Sequence, residues 1–381
     1  MIANQDAAPR PLAAHRDLAI REIEAIPVSI PLLRPVKWAR GHITAAEHVI
    51  VVVTLANGVR GIADAAPRPT VYGETQQSVH ALVTNHFRPL LIGVDAFDVQ
   101  RVTRDLETIV GNPAAKAAVD MALHDAQAKT LGISCAQLLG GTLKPVPLNW
   151  RIRSAGHKEA LAEAEQMMGK YGFRALKVKC GMDIAGDMEL LRALRKQVGA
   201  EVEIAVDMNQ AYTPEQLMAA GPALEEIGIA LIEEPVAARD RRGKLLAAHK
   251  IRVPITGDDS CVTLDDVRDE LELGAVRSVV IKCVRTGFTR SRDILGLARA
   301  FHCPVHNGSN ADMHIASAAS AHFACTYDTH HAHEMSYFID AADTVTDEGL
   351  EIRDGCLVLP ERPGIGLDLD PGKLRKYRID A

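Results

Sequence analysis

Two rhythms of apolar and polar residues divide this chain. In the first part, residues 18–31 (LAIREIEAIPVSIP) and 47–55 (EHVIVVVTL) read as strands, with an Asn57-Gly58 turn between the second strand and Gly61-Ile62-Ala63. Helical stretches follow at residues 75–87 and 113–131, the second stopped by Gly132. Strands succeeded by helices predict a separate α+β domain over residues 18–143. Residues 1–17 read as a flexible leader.

From about Val146 the rhythm changes. Short apolar runs (RALKVKC, EIAVDMN, ALIEEP, VPITGDD, SVVIKC, CPVHN) alternate with amphipathic helical segments. This is a βα repeat, which builds a parallel sheet covered by helices. The polar residues ending successive runs are evenly spaced. Steps of 28, 26, 25, 24 and 24 positions separate Lys179, Asp207, Glu233, Asp258, Lys282 and His306. Such regularity, without a glycine-rich phosphate turn after the first strand, predicts a (β/α)8-type barrel over residues 144–343 rather than a doubly wound sheet. Residues 344–381, with the hairpin-like GLEIRDGCLVLPERPGIGLDLD, fall outside the rhythm and are expected to return to the first domain.

A parallel barrel draws its catalytic groups from the C-terminal ends of its strands. Asp207, Glu233 and Asp258 end three consecutive runs. One acidic residue at a strand end is usually a cap or a surface charge. Three in register would converge, and such a cluster calls for a cation between them. Oxygen-only ligands favour Mg²⁺ or Mn²⁺ over zinc. Alternation turns only one of Glu233 and Glu234 inward, and Asn209, two residues beyond Asp207, is placed to meet a ligand water or substrate.

Lys177 and Lys179 share a strand face, and Lys282 ends a run across the barrel. Neighbouring ammonium groups and a metal disfavour protonation, so a lysine here is expected to act as a base near neutral pH.

Composition narrows the function classes. A formal charge of −6 without a basic block, and 4% aromatic residues, leave neither a phosphate-tracking face nor a base-stacking platform, so no nucleic-acid partner is expected. No apolar run is long enough to span a bilayer, and the N-terminus lacks the basic and apolar segments of a signal peptide. Seven scattered cysteines without CxxC spacing read as reduced thiols. A cytoplasmic enzyme with no membrane partner is the expectation.

Through K-x-K (Lys177/Lys179), VDMN (Asp207), IEEP (Glu233), GDDS (Asp258) and IK (Lys282), the chain resembles the enolase superfamily, in its muconate-lactonizing-enzyme subgroup. AAVDMALHDAQAKTLGISCAQLLGG and PGIGLDLDPGKLRKY extend the resemblance over nearly the whole chain after residue 18. It implies a modified (β/α)7β TIM-type barrel with an α+β capping domain. It also implies one Mg²⁺ or Mn²⁺ on Asp207, Glu233 and Asp258, a small carboxylate substrate and a homo-oligomer. Lys179 would be the acid/base on one face, Lys282 would serve the other, and Lys177 would tune Lys179 and bind the carboxylate. A cycloisomerase is implied, with racemase, epimerase or dehydratase chemistry on the same fold as the alternative. A catalytically silent barrel would not keep all these lysines and carboxylates.

Departures from the subgroup's pattern bear on the substrate. Asp259 stands where a glutamate is more frequent, CVRTGF replaces a Gly-Gly pair after Lys282, and His306 ends the seventh strand where many lactonizing enzymes have glycine. His306, Asp312 and Glu334 are therefore candidate substrate contacts. Trp38, Arg68 and Tyr72 join them, on the two segments (residues 37–43 and 67–74) that match closing loops of the capping domain. His330, His331 and His333 lack the spacing of a helical metal-ligand pair.

Overall fold

The computed structural model describes residues 16–38, 41–153, 156–181 and 183–379. Three antiparallel strands open the chain: β1 (Ile20–Trp38), β2 (Gly41–Leu55) and β3 (Arg60–Ala65), in that spatial order. The Asn57-Gly58 turn joins β2 to β3. Gly58 adopts a φ of 88°, and the Asn57 side chain accepts from the Val59 N–H. β1 runs seven residues past the expected Pro31, because Val36–Trp38 re-pair with β2 after a register shift.

The helix Pro113–Leu131 lies against this sheet and ends at Gly132, in the left-handed conformation with φ 70°. Its run of buried alanines covers almost every face, as befits a helix enclosed on both sides. On one side β3 comes so near that a Cβ on Gly61 would lie 2.0 Å from the Ala122 carbonyl oxygen. On the other, Asp120 accepts from the Phe288 and Thr289 N–H groups of a barrel helix. The helix thereby fixes the first domain on the barrel.

After the short β4 (Val146–Pro147) come β5 (Trp150–Ile152), β6 (Ala175–Lys179), β7 (Glu203–Asp207), β8 (Leu231–Glu233), β9 (Ile255–Gly257), β10 (Ser278–Ile281) and β11 (Val305–Asn307). They form one parallel sheet in chain order, and a helix follows each strand. The sheet closes through residues 333–334. His333 bridges Leu148 in parallel and its carbonyl accepts from the Asn149 N–H at 2.9 Å, while the Glu334 N–H donates to the Asn307 carbonyl at 2.9 Å. Seven βα units and a final strand-like segment make the (β/α)7β barrel with its α+β cap.

The C-terminal hairpin, β12 (Glu351–Arg353) and β13 (Cys356–Val358), does not itself reach the first domain: β13 pairs with β4. The segment after the hairpin makes that return. The Ile365 N–H donates to Asp125 Oδ1, and the Ile379 N–H donates to the Pro27 carbonyl. No helix among the described residues is long and apolar enough to cross a membrane.

Asp125 is the clip of this assembly. Wholly buried, it accepts from the Ile62 N–H and the Ile365 N–H, both at 2.8 Å, and pairs with Lys129 at 2.9 Å. Asp125→Ala would leave two backbone donors without their acceptor and Lys129 with only Asp368 and the Leu367 carbonyl. Its urea-unfolding free energy should fall by roughly 3–5 kcal/mol. A fall under about 1 kcal/mol would mean the C-terminal return is held by apolar packing alone.

Candidate active site

Strand register builds the site. Lys179 pairs with Asp207 across β6 and β7, and Asp207 pairs with Glu233 across β7 and β8. Three ionisable side chains therefore stand in one row at the barrel mouth. Asp258 follows β9, Lys282 follows β10, and Glu334 sits on the closing segment, which completes the ring.

Within the ring each carboxylate meets a cation. Lys177 Nζ lies 2.7 and 2.8 Å from the two Glu233 oxygens, 2.6 Å from Glu334 Oε2 and 3.4 Å from Asp207 Oδ2. Lys179 Nζ is 2.5 Å from the same Asp207 oxygen, and Lys282 Nζ is 2.7 Å from Asp258 Oδ2. Asp258 Oδ1 takes a further bond of 2.8 Å from Arg285.

These pairs bear on the proton affinity of each lysine. Burial works against the charge of each lysine. For Lys177 the carboxylates of Glu233, Glu334 and Asp207 more than offset it, and the pKa stands well above the usual value. Asp207 does the same for Lys179, and Asp258 for Lys282. Burial also opposes the Asp207 and Asp258 charges, yet Lys179 and Lys177 hold the first below the usual carboxylate range, and Lys282 and Arg285 the second. Glu233 goes the other way. Burial raises it well above the range against the pull of Lys177, and the nearby Asp207, Asp258 and Glu334 charges add to the rise.

Among the described residues no three His, Cys, Asp or Glu side chains are gathered as a metal cage. Asp207, Glu233 and Asp258 are each paired with a cationic side chain.

A second row of charges fixes the first. Glu234, at φ 39°, turns away from the mouth, and its Oε2 accepts from the Asp258 N–H, the Ser260 N–H and the Ser260 hydroxyl at 2.8–3.0 Å. Its Oε1 faces Lys244 Nζ at 3.2 Å, and the wholly buried Lys244 also meets Glu270 at 3.4 Å. Asn209 and Gln210 likewise hold positive φ (43° and 65°), a strained turn of the sort found where side chains must be aimed.

The cavity over this ring encloses about 810 Å³ of empty space, its open mouth included. Lys179, Lys282, Asp207, Glu233, Asp258, Asn209 and Glu334 reach its wall from the barrel, and Ile43, Arg68, Thr70 and Val71 from the cap. Lys179 is the most open lysine, with 24% of its side chain exposed against 4% for Lys177. Lys177 is not among the residues on the cavity wall and pairs with Glu233, Glu334 and Asp207.

Three predicted contacts lie elsewhere. His306 is buried, with Nδ1 3.4 Å from the Ser278 hydroxyl and its ring edge-on to His331 at 6.0 Å. Ser278 begins β10, and His331 stands 3.4 Å from Glu203, which begins β7. His306 thus faces the barrel end opposite the cavity, and burial, with Lys177 nearby, depresses its pKa well below the usual value. Asp312 is wholly buried and accepts from the Asn310 N–H. The Tyr72 hydroxyl stands 3.3 Å from Asn310 Nδ2 and 3.5 Å from Arg285, and the residue borders a neighbouring cavity. The Trp38 side chain lies outside the described residues. The histidines near the eighth strand have separate tasks, with His333 Nδ1 accepting from the Asn307 N–H.

Two residues join the site that the strand-end rule did not single out. Arg285 follows Lys282 by one helical turn, a spacing that could have flagged it, and its guanidinium also donates to the Cys261 and Val280 carbonyls. Tyr337 lines the cavity with its ring over the Arg151 guanidinium at 3.4 Å. Nothing in its sequence context announces that.

Lys244→Met would take the shared buried cation from Glu234 and Glu270, leaving Glu270 to Arg241 and Glu234 to the Asp258 and Ser260 donors. It should cost roughly 3–5 kcal/mol of stability, and Lys244→Met with Glu234→Gln should recover part of the loss. Urea unfolding of the wild type, both single variants and the double variant checks this. A double-variant loss equal to the sum of the two single losses would show that Glu234 and Lys244 are not coupled.

Comparison with known proteins places this geometry. Residues 20–140 match the family described as mandelate racemase / muconate lactonizing enzyme, N-terminal domain, and residues 159–373 match enolase C-terminal domain-like. The chain is 30% identical to muconate cycloisomerase 1 of Rhodococcus opacus, over 95% of this chain and 99% of that one. It is 28% identical to L-Ala-D/L-Glu epimerase of Bacillus subtilis, over 92% and 97%. Its fold superposes on a muconate lactonizing enzyme from Mycobacterium smegmatis complexed with muconolactone, with a TM-score of 0.93, 34% identity, and coverage of 95% and 100%.

Proposed function

Since this chain belongs to the mandelate racemase / muconate lactonizing enzyme family of the enolase superfamily, whose members similar to it are isomerases, we propose that it is a Mg²⁺- or Mn²⁺-dependent, muconate cycloisomerase-like enzyme. It would transfer a proton at the carbon next to a substrate carboxylate. The observation that carries this reading is the placement of Lys179 on Asp207 and Lys282 on Asp258, both on the wall of one cavity.

The donor set fits a hard divalent cation. Asp207, Glu233 and Asp258 are buried, offer only oxygen, and sit on three adjacent strand ends. A cation held there would supply positive charge to the substrate carboxylate while its α-carbon carries negative charge. Lys179 and Lys282, both on the cavity wall, would hold and move the proton at the substrate's α-carbon. Lys177 keeps Glu233, Glu334 and Asp207 in place, and its charge lowers the proton affinity of Lys179.

In a lactonization, a distal carboxylate oxygen adds to a carbon–carbon double bond. The electron pair moves toward the near carboxylate, and Lys179 Nζ delivers a proton to the α-carbon. A second reading is epimerization, in which Lys179 and Lys282 take and return the α-proton on opposite faces. It is favoured by the two lysines standing on separate carboxylates, and by an epimerase among the similar proteins.

The test is proton NMR of the Mg²⁺-loaded protein in D₂O with muconates, dipeptides, N-acyl amino acids and sugar acids. Deuterium should enter at the α-carbon of the true substrate, and Lys179→Ala should slow this by about 10²–10⁴-fold. A lactone product marks the first reading and stereochemical inversion the second. Exchange at the wild-type rate in Lys179→Ala would overturn both.

A further inference from the structure

A second cavity runs beside the first, along the seam between cap and barrel. It encloses about 1630 Å³ of empty space, its open mouth included. Two cap helices, Val99–Glu107 and Pro113–Leu131, form one side, and residues 262–265 with the helix Cys283–Ala300 form the other. Concave spaces at domain interfaces are preferred sites for small molecules.

One donor on this wall is unused. Arg285 is buried, and a guanidinium has five N–H donors to place. Nη1 donates to Asp258 Oδ1 at 2.8 Å and to the Tyr72 hydroxyl at 3.5 Å. Nη2 donates to the Cys261 and Val280 carbonyls at 3.0 and 3.1 Å. The fifth donor, on Nε, is shielded from water and has no partner among the described residues. A buried N–H without an acceptor is costly and rare. Arg285 lines this cavity and not the one over the lysines, so an acceptor for Nε would come from the seam.

The charges around that donor are already matched. Glu107 meets Lys116 at 3.0 Å and Arg290 at 3.5 Å, and so ties the cap to the barrel across the seam. Asp265 pairs with Arg268 at 2.8 Å, and Asp120 accepts from the Phe288 and Thr289 N–H groups. An incoming ion would lose its hydration and find no uncompensated partner. Leu106, Pro113, Ala117, Val262 and Leu264 offer apolar surface instead. A spare donor beside apolar walls, without a spare charge, suits an uncharged molecule with one acceptor. We infer that the seam is a second small-molecule site, taking an uncharged carbonyl compound with an apolar body, whose oxygen accepts from Arg285 Nε. Nη1 of the same guanidinium holds Asp258, so the occupant would sit one side chain from the barrel mouth.

The test is isothermal titration calorimetry of the protein with acetanilide, and with toluene as a probe of similar body that lacks an acceptor. One acetanilide per chain should bind, about three- to tenfold more tightly than toluene, as a neutral hydrogen bond implies. Thr103→Trp on the cap side and Leu264→Trp on the barrel side fill the seam, and neither position lines the cavity over the lysines. Each should abolish binding, and if one proves unstable in a melting control the other carries the test. Arg285→Lys keeps the charge but lacks Nε, and should bring acetanilide down to the affinity of toluene. No binding of acetanilide, or binding that survives the Trp substitutions, would overturn the site. Equal affinity for the two probes in the wild type, or a preference unchanged in Arg285→Lys, would overturn the role of Nε. Neither measurement involves turnover, so failure here is distinct from failure of the proton-transfer reading.

Discussion

Everything at the barrel mouth depends on one electrostatic constraint: many charges, mostly out of water, must be balanced in one place. Asp207, Glu233, Asp258 and Glu334 face Lys177, Lys179, Lys282 and Arg285. Isolated, any one of these groups would cost several kcal/mol to bury. Together they persist because strand register puts Lys179, Asp207 and Glu233 in one row. The barrel is thus less a container for the site than the device that lets its charges stay buried.

Balance also explains the layers behind. Glu234 cannot share the mouth with Glu233, so it turns at positive φ and binds the backbone that carries Asp258. That displaced carboxylate then needs Lys244, which needs Glu270. The cap obeys similar logic. Asp120 and Asp125 commit buried carboxylates to backbone N–H groups of the barrel and of the C-terminal return, and so the wall bearing Arg68 is held over the lysines.

The regular spacing of strand-end charges made the barrel and its ring legible from sequence, since a parallel strand's last polar residue has one place to point. Relations outside that rule were hidden. His306 occupies a strand like the others, yet alternation turns it toward Ser278 and the far end of the barrel. Arg285 reaches the site from a helix, one turn after Lys282, and Tyr337 from a one-turn 3₁₀ segment, so neither ends a strand run. The lysine protonation expected from sequence counted only ammonium neighbours and a metal. Carboxylates at 2.5–2.8 Å act in the opposite direction.

For proton transfer of the kind proposed, the three strand-end carboxylates must act as one binding unit for a hard cation. Titration of the metal-free protein with Mn²⁺, followed by electron paramagnetic resonance, measures that without any substrate. The prediction is one Mn²⁺ per chain, displaced by Mg²⁺, lost in Asp207→Asn and Asp258→Asn, and kept in Asp259→Asn. Absence of bound Mn²⁺ in the wild type, or binding unchanged by the first two substitutions, would contradict it.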